Sequence, residues 1–361
     1  MKNPLVSVVM SVYNGEEYLE RAIGSVMEQT YQNWELIAIN DCSTDSSLAI
    51  MERLAAKDPR IRVVCNEQNS RLPTSLNRGV ALAQGKYIAR MDADDICLPD
   101  RLEKQVAFME ANPDADVSSC RFLTLKNKTL ASGGTGGKSD QESVRTLLIF
   151  TNPILHPGII AKAEVLKENP YDTTLTCTED LELWSRLVQA GKKVVIQEAY
   201  LMIYRLHDKQ ITATTRERQE KEVLGIQSVY YSRYLQVMTP EEEAFYIPGV
   251  YFREVRSVPK LNAFYRSILR ANKKTRAFEK EALYYAMFEI LAEYNRKGIS
   301  KKELFRGLLF FPLSFLAREL RDRKLRSAKD SKRCIELGKK LGFSHIPGTE
   351  ECPVFEGECD W

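Results

Sequence analysis

No C-x-x-C pair occurs among the eight cysteines of this 361-residue chain. Their scatter (Cys42, Cys65, Cys97, Cys120, Cys177, Cys334, Cys352, Cys359) excludes a disulfide framework or zinc knuckle and predicts reduced thiols in a cytoplasmic protein. No stretch reaches the roughly 18 apolar residues of a membrane-spanning helix. The short apolar run at the N-terminus reads as a strand rather than a signal peptide. G-x-G-x-x-G is missing after that strand, which disfavours a nicotinamide dinucleotide site. There is no repeat of the length that marks a solenoid. No Ser/His or Cys/His constellation offers a covalent nucleophile, and no module for nucleic acid accompanies the basic residues.

What is present is an ordinary globular composition, 44% hydrophobic and 28% charged. The net charge of +3 hides an asymmetry. Residues 1–250 hold 28 Lys+Arg against 34 Asp+Glu, residues 251–350 hold 24 against 11, and the last eleven are acidic by four. A basic half of this kind points to an anionic surface or ligand near the carboxyl end.

Up to about residue 100, buried strands alternate with amphipathic helices. The strands are Leu5–Val12, Trp34–Ile39, Ile61–Cys65 and Tyr87–Met91; helical spacing follows at Tyr18–Met27, Leu48–Leu54, Leu72–Ala83 and from Leu102 to Phe108. This order predicts βαβ units, a mostly parallel sheet and helices on both faces. A further strand is expected at Val117–Leu125, a glycine-rich loop at Ser132–Gly137, an amphipathic helix at Leu181–Val188 closed by Gly191, and a strand at Val194–Tyr204. Beyond residue 213 only helices are expected, at Glu217–Leu235, Glu241–Tyr246, Pro259–Ala271, Phe278–Tyr294, Lys301–Leu325 and Ser331–Leu341. The expected division is 1–212 for an α/β domain and 213–361 for an all-α one.

Carboxylates gather at the ends of these strands. Tyr87–Met91 runs directly into Asp92, Asp94 and Asp95, and like charges so close call for a cation. Oxygen donors suit Mg²⁺ or Mn²⁺ better than zinc. In a parallel sheet, Tyr13-Asn14 after the first strand, Asp41 after the second and Asp94 after the fourth share one crevice. Taken singly, Asp41 or Asp45 reads as an Asx turn or helix cap.

Several runs resemble glycosyltransferase family 2, the inverting enzymes of GT-A fold. They are Val6–Gly15, Asp41-Cys42-Ser43-Thr44-Asp45, Asn77-Arg78-Gly79, Met91-Asp92-Ala93-Asp94-Asp95, Leu98–Leu102 and Glu179–Trp184, in family order over about residues 4–210. The resemblance implies a nucleoside diphosphate sugar donor, with UDP favoured, and a glycan or lipid-linked acceptor in surface polysaccharide assembly. It implies that Asp41 contacts the base, Asp92 the ribose or diphosphate, and Asp94 the metal. Asp180 becomes the catalytic base, with Glu179 beside it. Val12, Tyr13, Asn14, Asn77 and Ala93 are expected along the donor, Arg71 and Arg205 near its phosphates, and His207 near the metal. Asn40-Asp41-Cys42 departs from the family, which often carries a second acid and a glycine there. His156 reads equally as a donor or acceptor contact and as a core histidine.

Two competing classes remain at this point: a sugar nucleotidyltransferase, which would want a basic glycine-rich phosphate loop after the first strand, and a nucleotide-sugar-binding protein without turnover. Residues 301–326, apolar then basic, read either as a contact with the inner face of a membrane or as a buried helix or homo-oligomer contact.

Overall fold

The N-terminal apolar run becomes strand β1 (Val6–Val12), and its near-continuous hydrophobicity has a structural reason: both faces are covered. Val8, Met10 and Val12 pack with Leu19, Ala22 and Ile23 of helix α1 (Glu16–Met27). Val9 faces the other way, against Gly79, where a Cβ would stand 2.4 Å from a Val9 methyl carbon. The computed structural model describes residues 3–133, 140–207, 216–251, 257–342, 344–345 and 354–356.

β2 (Trp34–Asn40) and β4 (Tyr87–Asp92) flank β1 in parallel, and β3 (Ile61–Cys65) adds parallel to β2. Helices α2 (Ser47–Ala55) and α3 (Arg71–Leu82) make the crossovers. After β5 (Ile96–Cys97) and α4 (Arg101–Ala111), the sheet becomes antiparallel through β6 (Val117–Lys126), β7 (Thr129–Gly133) and β8 (Ile160–Lys162). β9 (Val194–Arg205) pairs with β5 and runs parallel to β6. β10 (Ser344–His345) and β11 (Val354–Glu356) extend the sheet beyond β7, against the expectation of helices alone after residue 213, because the outer edge of β7 offers backbone groups to pair with. Among the described residues the path is β10-β11-β7-β6-β8-β4-β1-β2-β3.

The remaining helices are α5 (Gln141–Leu147), α6 (Ala163–Glu168), α7 (Glu179–Gln189), α8 (Arg216–Tyr234), α9 (Pro240–Phe245), α10 (Val258–Thr275), α11 (Lys280–Arg296), α12 (Lys301–Leu308) and α13 (Leu313–Lys340). Two expectations change here. The single helix expected over Lys301–Leu325 breaks before Pro312, whose ring cannot continue a helix interior. The helix expected at Ser331–Leu341 is the end of α13.

The chain divides into two units, and neither is continuous in sequence. Unit 1 holds Met1–Thr135, Ile154–Thr214 and Ser331–Trp361; unit 2 holds Gly136–Pro153 and Thr215–Asp330. The division thus departs from the expected cut at 212 by moving two segments across it. The reason is packing. Cys334 sits fully buried among Leu123, Leu125, Leu130 and Ile203, with Ile335, Leu337 and Leu341 beside it, so the end of α13 covers the antiparallel half of the sheet. Residues 136–153 join the helical unit, where the Arg145 guanidinium donates to the Ala277 carbonyl (2.5 Å) and the Tyr246 hydroxyl to the Ile149 carbonyl (2.5 Å). Of the loop expected at Ser132–Gly137, Ser132 and Gly133 instead end β7, paired with Leu123 and Phe122, and 134–137 lie outside the described residues.

Candidate active site at the carboxyl edge of the sheet

The register Val12↔Asn40 and Ser11↔Asp92 brings the ends of β1, β2 and β4 to one edge. Two loops there are stitched to each other. Asn14 Oδ1 accepts from the Thr44 amide (2.8 Å), the Ser43 hydroxyl accepts from the Asn14 amide (3.1 Å), and Asp45 accepts from the Glu16 amide (3.0 Å). Asn14, Cys42 and Arg71 all adopt left-handed backbone, with φ of 50°, 61° and 68°. Asn tolerates that region better than most residues; Cys gains nothing there. Cys42→Gly is therefore expected to raise stability by about 0.5–1 kcal/mol in thermal unfolding, strain relief outweighing the glycine's entropy.

Asp41 is buried, and its Oδ1 accepts from Asn66 Nδ2 (2.6 Å) and the Ser70 amide (2.8 Å), which fixes the loop into α3. Asn40 is buried too, and accepts from the Ser43 amide (3.2 Å), so it anchors the turn. Tyr13 is 53% exposed at the rim. Two residues expected along the donor, Val12 and Asn77, have side chains engaged within the protein. Val12 is fully buried in the core beside α1, and its carbonyl accepts from the Asp41 amide (2.8 Å). Both ends of the Asn77 amide are occupied by the Tyr171 backbone at 2.8 Å. Arg71 opens α3 with its amide bonded to Asn69 Oδ1 (3.2 Å). Ala93 packs near Gly15, partly buried.

The acidic run is the centre of the edge. Asp92 forms a two-pronged ion pair (2.5 Å) with Arg90, a buried arginine on β4. Asp94 Oδ2 lies 2.9 Å from His207 Nε2, and its carbonyl accepts from Arg205 Nε (3.0 Å). Asp95 is fully buried; Oδ1 accepts from the Arg205 amide (2.9 Å), while Oδ2 is buried without a hydrogen-bond partner. Arg205 lies over the Tyr18 ring, 4.4 Å from its centroid, and His207 is 5.2 Å from the same ring. One oxygen each of Asp92, Asp94 and Asp95 fall within 4.8 Å of one another. Burial pushes Asp92 up to about 6 despite Arg90, and pushes Asp95 well above the usual carboxylate range with help from Asp92 and Asp94. Three carboxylates that repel, one with an orphaned oxygen, make a donor set that fits a hard divalent cation.

Opposite this run, α7 opens with Glu179 and Asp180. Asp180 Oδ1 accepts from the Leu181 amide (2.7 Å) and its side chain is partly exposed. Glu179 is 4% exposed, 3.7 Å from His156 Nδ1. The other ring nitrogen of His156 lies 2.8 Å from the Tyr171 hydroxyl, and the ring stands edge-on to Trp184. His156 is thus a core histidine, held neutral because burial, and then Arg90, push its pKa well below the usual value.

Burial, and then Asp180, push Glu179 from its ordinary 4.5 up to about 7. A raised acid holds its proton more tightly in the folded state, so its contribution is full below pH 4.5 and declines as pH rises towards 7. Glu179→Gln, which keeps the protonated shape, should therefore gain about 1–3 kcal/mol relative to wild type between pH 4.5 and 8. Urea unfolding with EDTA at both pH values measures it; an unchanged difference would mean Glu179 ionises normally.

Sequence reasoning gave Asp95 no role beyond its place in the acidic run, and gave Arg90 and Tyr171 none. A charged residue inside an apolar strand was the available signal for Arg90, since a buried guanidinium demands acceptors.

The family described as Glycosyl transferase family 2 matches residues 7–154. A Haemophilus influenzae protein described as an uncharacterized glycosyltransferase is 32% identical over 276 residues, which cover 74% of this chain and 84% of that protein. The chain belongs to glycosyltransferase family 2. This glycosyltransferase is also 39% identical over 132 residues to TuaG of Bacillus subtilis, whose description names teichuronic acid biosynthesis, with 37% of this chain and 50% of TuaG covered. Among solved structures, Staphylococcus aureus TarS in complex with UDP-GlcNAc superposes with a TM-score of 0.55 at 16% identity, covering 82% of this chain and 93% of that one. The mannosyltransferase PcManGT from Pyrobaculum calidifontis, in complex with GDP-Man and Mn²⁺, gives 0.53 at 17% identity, over 88% and 87% of the two chains. Both likenesses show the fold, the GT-A α/β architecture expected for the glycosyltransferase. No helix among its described residues is long and apolar enough to cross a membrane.

Proposed function

We propose that this glycosyltransferase is divalent-metal-dependent and inverting, and moves a sugar from a nucleoside diphosphate sugar, a UDP-sugar first, to an acceptor hydroxyl in bacterial-type surface polysaccharide assembly. The observation that carries the reading is the cluster of Asp92, Asp94 and Asp95 on the edge that also holds Asp41, with the orphaned Asp95 oxygen inside it. Support for the donor class comes from the nucleotide sugars named with TarS and PcManGT, and for the pathway class from TuaG.

Each residue then has one task. Asp41, its Oδ1 fixed by Asn66 and Ser70, offers the other oxygen to an N–H of the base. Asp94 and His207 would hold Mn²⁺ or Mg²⁺, with Asp92 on the ribose or diphosphate and Asp95 completing the carboxylate cluster. When bound, that ion neutralises the charge that develops on the diphosphate as it leaves. Arg205, clamped by Asp94, Asp95 and Tyr18, faces the same phosphates. Asp180 removes the proton of the acceptor hydroxyl as its oxygen bonds to the anomeric carbon. The bond from that carbon to the diphosphate breaks, and its electron pair leaves with the nucleoside diphosphate. Attack from the opposite side inverts the centre.

Release of nucleoside diphosphate from a panel of UDP-, GDP- and TDP-sugars, with Mn²⁺ and with EDTA, tests the reading. Metal-dependent release from one donor is expected, lost in Asp94→Ala. Donor binding without release on any lipid-linked or glycan acceptor favours a binding protein, and no binding to any donor overturns the proposal.

A further inference from the structure

We infer that the outward face of α12 and the first half of α13 in unit 2 rests on an anionic lipid bilayer. The inward face of this stretch is packed. A Cβ on Gly307 would meet a Leu291 methyl carbon at 2.6 Å, and Phe311 and Phe315 are buried, stacked at 5.6 Å beside Tyr284 and Phe288. The outward face is not. Phe305 is 62% exposed, Leu309 68%, Leu313 83% and Leu320 53%. Phe305 and Leu309 lie one helical turn apart, and Leu313 and Leu320 two turns apart on one side of α13, so each side of the bend at Pro312 carries an exposed apolar ridge.

Cations border these ridges. Lys301 and Lys302 are exposed one turn before Phe305, and Arg321 and Lys324 are exposed beside Leu320. The acids of the same stretch offset one of them: Asp322 pairs with Arg321, while Glu319 is 3% exposed and Glu303 caps α12 through Ser300, so Lys301, Lys302 and Lys324 carry the positive charge of this face. Side chains that protrude singly between lysines suit the headgroup boundary of a bilayer, where apolar groups enter the acyl region and cations meet anionic lipid. A second copy is the poorer occupant, because pairing this face with itself sets lysine against lysine. The inference stands independently of the donor and of the transfer chemistry.

Sedimentation of the full chain with phosphatidylcholine vesicles, alone and mixed with phosphatidylglycerol, tests it. Binding is expected only with the mixed vesicles. Lys301→Gln with Lys302→Gln should weaken it on the order of 25-fold, about fivefold for each charge. Phe305→Ser with Leu309→Ser and Leu313→Ser should weaken it on the order of 100-fold. These side chains are exposed, so both variants should keep the wild-type circular dichroism. A wild type that stays in the supernatant with both vesicles overturns the inference, as does a serine variant that sediments like wild type. A wild type that is dimeric in light scattering, becomes monomeric on serine substitution and ignores vesicles would make the face a contact between copies instead.

Discussion

Asp180→Asn should lower the rate of sugar transfer by roughly 10²–10⁴-fold and leave donor affinity within about twofold. The asymmetry follows from where the residue sits. Asp180 opens α7, and the base contact is assigned to Asp41 instead, so no contact assigned to the base passes through it. Its Oδ1 accepts the Leu181 amide, and an asparagine oxygen keeps that bond, so the start of the helix is preserved. What asparagine loses is the capacity to take a proton. The buried neighbour cannot take over, because Glu179 is 4% exposed and lies against the neutral His156. Single-turnover kinetics with a saturating donor, beside equilibrium titration of the nucleoside diphosphate, separate the two quantities. A rate within threefold of wild type would move the base elsewhere.

The second large effect is on the fold. Arg101 is fully buried, and its acceptors are all local: Arg90 and Ile159 carbonyls (2.7 and 3.2 Å), Gln105 Oε1 (3.0 Å), and the sulfurs of Cys97 and Met202 (3.1 and 3.0 Å). It joins α4, β4, β5 and β9 at one point. Arg101→Leu removes every donor and leaves the Arg90 carbonyl and the Gln105 amide oxygen buried beside an apolar group. Each such orphan costs about 1–3 kcal/mol, and the shorter side chain adds a cavity. A loss of about 3–5 kcal/mol is expected, or roughly 10 °C in melting temperature for a unit of this size. Arg101→Lys should recover little, since one ammonium cannot reach acceptors on both sides of the guanidinium. Differential scanning calorimetry measures both variants; a shift below about 3 °C for Arg101→Leu would show that water or rearranged neighbours satisfy those groups.

Much of the site was legible because strand ends carry it. Continuous apolar runs stopped by Asn14-Gly15, by Asp41 and by Asp92 told both the parallel order and the edge where carboxylates would meet. The side-chain partners were not legible, since they depend on contacts far apart in the chain. Asn77 reads as a candidate polar contact, yet it holds Tyr171, 94 positions later. Asp95 reads as one of three similar acids until burial sets it apart. The arrangement of the units was hidden for the same reason. Nothing in the amphipathic period of Ser331–Leu341 says that it covers a sheet whose nearest preceding strand, β9, lies more than a hundred positions earlier; only the pocket around Cys334 does.

That return of the chain has a temporal side. β7 (Thr129–Gly133) is complete early in synthesis, but its outer neighbour β11 is Val354–Glu356. At ~5–20 residues per second, the intervening residues take roughly ten to fifty seconds to emerge. Throughout that interval β7 presents unpaired backbone groups and the apolar seat for Cys334 stands open, the conditions under which nascent strands join the wrong partner. An enzyme whose sheet is completed only after its helices is one whose yield in the cell depends on what shields that edge while the helices are still being made.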